Sequence, residues 1–325
     1  MLVPEFPSRR VGILAAWSGF LLFLGGTLCH AQSTLFYLEV QGLAAYSTAA
    51  RAVQLFSLAP DEAMQKPSLG FDFVERVTGA SRDYGVIAIQ ARVAYDQQGN
   101  HHVELQVYNA YFRLKAGFAD IWAGHNRPAW GISYELDNHA LLLETPEMMG
   151  FGFERDWGVG LHRDLAWGDA AFSLTAGSGM PLYFKGNYFA SARVSKGVLA
   201  RDNYSLGLSL AHGDILDTMG YHLLMPEPVD FTAAAGDATY FWRNLENRVE
   251  AIVGRKAGAD ILVLFWRAGL NLLEEGRLKL EVQPVMTRGI PTETWQLGGC
   301  ATYRMTADLT ARCLVQYDRG LRDAR

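Results

Sequence analysis

Residues 261–318 decide the fold class, and they read ILVLFWRAGLNLLEEGRLKLEVQPVMTRGIPTETWQLGGCATYRMTADLTARCLVQYD. Taken at every second position, this stretch separates into an apolar set and a polar set. The apolar set comprises Leu262, Leu264, Trp266, Ala268, Leu270, Leu272, Leu278, Leu280, Val282, Pro284, Met286, Trp295, Leu297, Gly299, Ala301, Tyr303, Met305, Leu309, Ala311, Cys313, Val315 and Tyr317. None of these residues is charged, although 19% of the chain is. A repeat of two residues is the period of a β-strand, whose side chains alternate between the two faces of a sheet.

The intervening positions carry polar side chains. They comprise Arg267, Asn271, Lys279, Glu281, Gln283, Thr287, Gln296, Thr302, Arg304, Thr310, Arg312, Gln316 and Asp318. An apolar face toward lipid and a polar face toward the lumen are typical of a transmembrane β-barrel. A soluble β-sandwich produces the same alternation, so this pattern alone leaves both folds open.

The N-terminal segment favours export and therefore the membrane barrel. Arg9 and Arg10 precede an apolar run over residues 11–28, and residues 29–31 offer small side chains for a cleavage site. This arrangement predicts a secretory signal peptide over residues 1–31, cleaved after Ala31. The alternative is a transmembrane anchor, because the run approaches the length that spans a bilayer. With cleavage, residues 32–325 are expected to form a single outer-membrane β-barrel domain.

Composition narrows the class of protein further. The chain carries a net charge of −5 at pH 7, which argues against nucleic acid as a partner. Beyond the signal segment no apolar stretch is long enough for a spanning helix, so a membrane protein with this sequence must be a β-barrel. The expected location is the bacterial outer membrane, with the surrounding lipid as a partner.

Turn residues divide the chain after residue 32 into fourteen expected strands. These strands cover 34–46, 69–79, 84–96, 102–115, 117–126, 153–163, 169–178, 188–197, 203–213, 239–255, 260–272, 277–288, 294–305 and 309–318. Long connections (47–68, 127–152, 179–187 and 214–238) alternate with short ones, as in bacterial barrels. The expected fold is therefore an all-β, antiparallel transmembrane β-barrel of about 14 strands, within a range of about 12 to 16.

Two strands depart from the simple pattern. The apolar positions change phase near Tyr108, which predicts a β-bulge at that residue. The expected strand 239–255 is unusually long, and a short helix before Arg248 would fit its sequence equally well.

The register of the last two strands determines which way the two cysteines after the signal segment point. If Met305 lies opposite Leu309, both apolar sets stay on one side of the sheet. Cys300 then faces the lumen and Cys313 faces the lipid, so a disulfide between them is not expected.

Two further segments carry motifs. The first comprises Tyr111-Phe112-Arg113-Leu114-Lys115 and Ala123-Gly124-His125-Asn126-Arg127-Pro128-Ala129-Trp130-Gly131, and the second comprises Gly152-Phe153-Glu154-Arg155-Asp156-Trp157-Gly158-Val159 and Gly177-Ser178-Gly179. Over residues 84–200 the chain thereby resembles the phosphate-selective porin family and related bacterial outer-membrane porins. The resemblance implies a porin in which the loop after residue 126 constricts the pore. That loop has no lysine and carries Glu135, Asp137, Glu144 and Glu147, so phosphate selectivity is not carried over.

Two groups of residues are candidates for the functional site. The expected pore-lining residues are Arg92, Arg267, Lys279, Glu281, Arg304 and Arg312. The expected residues of the constriction loop are Trp130, Tyr134, Glu135, Asp137, His139 and Glu144. Charges of opposite sign on facing surfaces of a pore orient polar solutes, although the same charges could instead pair across neighbouring strands.

The sequence offers little support for catalysis or for a cofactor. It contains no Cys-x-x-Cys-His motif for haem, no P-loop and no Gly-x-Ser-x-Gly motif. Ser209 and His212 lie three residues apart on an expected strand, so they point to opposite faces and cannot share a proton. We therefore expect no enzyme activity, no cofactor and no metal site.

The function that fits these features is an outer-membrane porin, a passive diffusion channel for small polar solutes or ions. The sequence leaves the oligomeric state of such a porin open, and a homotrimer is one alternative. The alternative is a barrel sheath that houses a periplasmic or lumenal protein partner, such as a multihaem cytochrome carrying electrons through the outer membrane. A third hypothesis is an assembly or adhesion scaffold with a closed lumen.

Overall fold

The computed structural model describes residues 10–20, 34–48, 50–57, 65–79, 82–97, 102–137, 141–289 and 293–319, and for residues 10–20 it describes the backbone only. Of the expected signal peptide, these ranges include only Arg10–Phe20, and cleavage after Ala31 stays a prediction. His139, expected in the constriction loop, lies outside the described residues.

Antiparallel β-structure makes up most of the described chain. The strands are β1 (Arg10–Phe20), β2 (Thr34–Ser47), β3 (Ala52–Gln54), β4 (Ser68–Thr78), β5 (Asp83–Tyr95), β6 (Val103–Lys115), β7 (Asp120–Asn126), β8 (Asp156–Leu165), β9 (Gly168–Thr175), β10 (Tyr188–Lys196), β11 (Tyr204–Met219), β12 (His222–Trp242), β13 (Leu245–Lys256), β14 (Ala259–Leu272), β15 (Leu278–Arg288), β16 (Thr294–Arg304) and β17 (Leu309–Arg319). Short helical turns cover Ile132–Tyr134, Leu199–Asp202 and Glu274–Gly276. In the part of the chain that the structure describes, none of the helices is long and apolar enough to cross a membrane.

The strands form one sheet that closes on itself. Each strand from β4 to β17 pairs with its neighbours in sequence, β2 pairs with β4, and β1 pairs with both β17 and β2. The three-residue strand β3 pairs with the end of β2, and the other sixteen strands form the wall. The molecule is therefore an all-β, antiparallel transmembrane β-barrel, as the sequence predicted, with sixteen wall strands instead of about 14.

The two faces of the wall match the alternation of residues 261–318. On β14 the side chains of Leu264 and Trp266 are 45% and 46% exposed on the outer face. Their neighbours Phe265 and Arg267 point inward and are 3% and 2% exposed. The apolar set thus faces outward, toward lipid, and the polar set faces the lumen.

The register of the last two strands is confirmed. Arg304 lies opposite Thr310, and the N–H of Met305 donates to the carbonyl of Leu309 at 2.8 Å. Cys300 is accordingly buried on the inner face, Cys313 is exposed on the outer face, and both thiols are free.

The strand boundaries between residues 214 and 255 were predicted wrongly. Residues 214–238 were expected to be a long connection, but they form the ends of β11 and β12, a hairpin joined at Gly220 and Tyr221. The expected strand 239–255 is divided by a turn at Arg243, and residues 239–247 form no helix. Consecutive alanines at 233–235 give no contrast between faces, which hid the strand.

The bulge expected near Tyr108 is present. The ladder between β5 and β6 pairs Gln90 with Asn109 and then Ala91 with Val107, so Tyr108 is the extra residue. A bulge turns one side chain out of the alternation. Here it places the Tyr108 ring in the barrel interior, where 1% of it is exposed.

The connections fall at two ends of the barrel. The long-loop end carries residues 48–67, 127–155 and 176–187 together with the tip of the β11–β12 hairpin. The short-turn end carries residues 79–82, 116–119, 166–167 and 243–244. Loop 127–155, the connection between β7 and β8, contacts the inner face of the wall at several described residues.

Candidate functional site

Loop 127–155 turns into the lumen immediately after β7. Three of its backbone N–H groups donate to inward-facing side chains of three different strands, β9, β11 and β13. The bonds run from Ala129 N to Ser173 Oγ (3.0 Å), from Gly131 N to Ser209 Oγ (3.2 Å) and from Ile132 N to Glu250 Oε1 (3.0 Å). Buried backbone donors need such partners because water cannot reach them. The wall therefore supplies specific acceptors for the loop.

An apolar anchor holds the same part of the loop. Trp130 and Ile132 are fully buried against an apolar patch on the inner face of β10 to β15. The Trp130 ring meets the edges of Phe189 and Phe231, with centroids 6.3 and 5.9 Å apart, and its Nε1 donates to the carbonyl of Phe151 at 2.9 Å. Burying a large apolar side chain stabilises by roughly 1.5–3 kcal/mol, so these residues hold the loop firmly.

A second attachment lies further round the wall, on β14 and β15. Arg267 Nη2 donates to the carbonyls of Leu143 at 3.0 Å and Glu144 at 3.3 Å, and Gln283 Nε2 donates to the Glu144 carbonyl at 2.8 Å. Leu143 also packs with Leu314 and with other buried residues of β2 and β16. Loop 127–155 thus spans the lumen from the β9 side to the β17 side.

Ion pairs hold two acidic residues of the loop, Glu135 and Asp137. Glu135 Oε1 accepts hydrogen bonds from Arg193 Nη2 at 2.8 Å and from Ser205 Oγ at 2.7 Å. The same guanidinium forms a salt bridge with Asp237 on β12. Asp137 receives Arg155 Nη2 at 3.2 Å. These carboxylates therefore have cationic partners within the protein.

Tyr134 belongs to a separate hydrogen-bond network with two residues of β8. Its hydroxyl lies 2.7 Å from His162 Nδ1, and His162 Nε2 lies 3.1 Å from Asp164 Oδ1. Burial raises the pKa of the Tyr134 hydroxyl above its usual value, and the charge of Asp169 acts in the same direction. The Tyr134 hydroxyl stays protonated at neutral pH and is a hydrogen-bond donor in the lumen.

The expected pore-lining residues occupy three different environments. Arg92 and Arg267 are almost completely buried and donate to Gln106 and Gln283, at 2.5 and 2.6 Å. Lys279 and Glu281 form an ion pair of 2.9 Å, and Arg312 is half-buried on the inner face of β17. Arg304 is exposed at the short-turn end, where it pairs with Glu275.

Three residues that contact the inner side of the wall were not among the candidates from the sequence, namely Tyr108, Arg155 and Tyr221. Arg92 and Arg155 both stack on the ring of the bulged Tyr108, with guanidinium carbons 4.9 and 4.6 Å from the ring centroid. Tyr221, at the tip of the β11–β12 hairpin, donates to the Val107 carbonyl of β6 at 2.9 Å. The phase change at Tyr108 was the signal for the stacked ring, whereas nothing local marked the hairpin contact.

One group of side chains at the long-loop end has the composition of a metal site. Potential ligand atoms of Asp96, Glu104 and His222 lie within 4.8 Å of one another. However, the ammonium group of Lys66 already binds both carboxylates, at 3.3 Å from Asp96 and closer to Glu104. A cation from this chain thus fills the position that a metal would take.

Comparisons with known proteins agree with this architecture. No protein-family model matches the sequence, and no curated protein matches it either. Similar solved structures include Salmonella typhi OmpF in complex with daunomycin (TM-score 0.54, 11% identity), a loop L8 deletion mutant of OmpT, an outer membrane protein of Vibrio cholerae (0.53, 11%), and an anion-selective porin from Comamonas acidovorans (0.51, 12%). Each match covers 95% of this chain and 97% of the other. At these identities the likeness shows the fold alone, a porin-like barrel.

Proposed function

We propose that this protein is a porin of the bacterial outer membrane, through which small polar solutes or ions diffuse passively. The observation that carries the proposal is loop 127–155, which crosses the lumen from its hydrogen bond with Ser173 on β9 to the packing of Leu143 against Leu314 on β17. A loop that is attached to the inner face of a barrel narrows its lumen. The porin-like fold of the similar structures supports the same function.

The lining that solutes would meet is mixed in charge. Lys279, Glu281 and Arg312 lie on the inner face of β15 and β17, and these residues are the ones that we expect to influence ion preference. Arg92 and Arg267 are instead assigned a structural role, because their guanidinium groups are buried and bound to glutamines and loop carbonyls. Arg304 would act at the rim of the short-turn end.

The same loop weighs against the sheath hypothesis. A partner such as a multihaem cytochrome would need the space that loop 127–155 occupies. Displacing the loop would expose the Trp130 and Ile132 side chains and leave the Arg267 and Gln283 donors without their carbonyl partners. Because these contacts are extensive, the channel is the function that the geometry favours.

Reconstitution into a planar bilayer tests the proposal. Purified protein should produce stepwise openings of constant size that persist at both polarities. Silent membranes, together with a haem protein that co-purifies with the barrel, would support the sheath instead. Native mass spectrometry in outer-membrane lipid would show whether the channel is a monomer or a homotrimer.

A further inference from the structure

Two buried carboxylates converge beneath loop 127–155. Glu147 belongs to the loop and Glu250 to β13, and each is 3% exposed. They meet at Gly131, whose φ of 58° lies in the left-handed region. A Cβ added at Gly131 would overlap Oε1 of Glu147 and would lie 2.6 Å from Oε1 of Glu250. Only glycine leaves enough room for both carboxylates at this point.

The hydrogen bonds of the pair are incomplete. Ser133 Oγ donates to Glu147 Oε2 at 2.6 Å, and Ile132 N donates to Glu250 Oε1 at 3.0 Å. Oε1 of Glu147 and Oε2 of Glu250 have no hydrogen-bond partner among the described residues. Two ionised carboxylates in such a place repel each other strongly, whereas a proton held between them supplies the missing donor.

The charged groups around the pair do not neutralise it. Arg193 on β10 is the cation that acts on Glu250, but its guanidinium is already bound to Asp237 and Glu135. Asp237 on β12 adds negative charge near Glu250. From β11 the nearest polar group at the loop is the hydroxyl of Ser209, which is uncharged.

We propose that loop 127–155 is a proton-dependent gate, in which one proton shared by Glu147 and Glu250 holds the loop against the wall. Loss of that proton leaves two negative charges at Gly131 and weakens the attachment of the loop. The loop then spends more time away from the wall, and the pore conducts more current. This regulation rests on the proposed porin function.

The raised pKa of Glu147 determines how the attachment of the loop depends on pH. Burial raises the pKa of the Glu147 carboxyl from 4.5 to about 7, and the hydrogen bond from Ser133 opposes this rise in part. A group whose pKa is higher in the attached loop favours attachment most at low pH. The attachment should therefore be strongest at low pH and weaken as the pH rises through the raised pKa of Glu147.

The test is the conductance of the reconstituted protein between about pH 5 and pH 8. The linked proton changes the attachment equilibrium by at most about tenfold for each pH unit, so mean conductance should rise by roughly twofold or more over this range. Glu250→Gln and Glu147→Gln keep the size of the side chain but cannot share a proton between two carboxylates. In both variants the conductance should depend on pH clearly less than in the wild type, because a single carboxylate remains and no second negative charge can appear beside it.

Glu274→Gln is the matched control, because Glu274 is exposed in the turn between β14 and β15, and this variant should keep the pH response of the wild type. If one variant fails to insert, the other still tests the gate, since either substitution removes the shared proton. A wild-type channel whose conductance does not change with pH would overturn the gate but leave the porin. Absence of any channel at all pH values would overturn the porin as well. If EDTA at constant pH raises the mean conductance as much as the rise in pH does, the site binds a metal cation, and this result would also overturn the gate.

Discussion

The guanidinium of Arg193 crosses strand β11 over Gly207. Arg193 belongs to β10, and Gly207 lies opposite Asp237 of β12, which is the residue that the guanidinium reaches. A Cβ added at Gly207 would overlap Arg193 Nη1. The missing side chain therefore opens the path by which a cation on one strand neutralises a carboxylate two strands away.

Gly207→Val is expected to break this ion pair. The added side chain displaces the guanidinium and leaves Asp237 buried without its cation, which costs about 3–5 kcal/mol of folding free energy. Urea unfolding followed by heat-modifiable gel mobility would measure the loss. Gly236→Ala is the control, because its new Cβ would lie 3.7 Å from the nearest side-chain atom, at ordinary contact distance. Equal effects of the two changes would contradict the role of Arg193.

Removing the centre of the constriction loop should open the pore. Deletion of Ser133 to Pro146 removes the attachment to Arg267 and should raise single-channel conductance by roughly twofold or more. A cation preference from Glu135, Asp137 and Glu144 should weaken only slightly, since Glu135 and Asp137 are ion-paired. Conductance that stays at the wild-type level would place the permeation path away from the loop.

Arg267→Met should loosen the loop without deleting it. The Leu143 carbonyl then loses its donor from β14, and each lost buried hydrogen bond costs roughly 1–3 kcal/mol. Recordings should show larger and noisier openings than those of the wild type. Arg255→Met removes a cation from the exposed pair with Asp260 and should leave the recordings unchanged. If Arg267→Met has the single-channel conductance and the low current noise of the wild type, the apolar anchor alone holds the loop.

Neighbouring residues of β17 distinguish the two faces of the wall. Val315 is exposed on the outer face, so Val315→Arg should cost about 2–4 kcal/mol, the penalty of a cation in the hydrocarbon region. Gln316 points inward and its Nε2 donates to Asp318 at 3.2 Å, so Gln316→Arg gains an ion pair and should fold normally. The two variants can be compared by the yield of heat-modifiable protein in the membrane fraction. A more damaging change at Gln316 would show that the faces are exchanged.

Alternation in the sequence predicted the features of the wall that depend on a period of two. The opposite orientations of Cys300 and Cys313, and the bulge at Tyr108, follow from counting positions along a strand. The bonds of the constriction loop could not be predicted in this way. Ser209 and Glu250 lie far from the loop in sequence, and contacts across a lumen have no period that marks them.

The N-terminus of the mature protein is the remaining prediction. Cleavage after Ala31 should leave Gln32 as the first residue, because the apolar run and the small residues before this bond suit signal peptidase. Intact mass measured on protein from the outer-membrane fraction would show it. A mass that includes residues 10–20 would contradict the cleavage.

Strand β1 stands between two strands that run in the same direction. Because β1 is antiparallel to both β17 and β2, its removal would leave an odd number of wall strands and a parallel seam. The N–H and C=O groups along an open seam would find no partners in hydrocarbon. A wall without β1 must therefore either join β17 to β2 in parallel or accept another strand between them. The mass of the mature chain shows whether β1 is retained, and therefore whether the chain supplies an even or an odd number of wall strands.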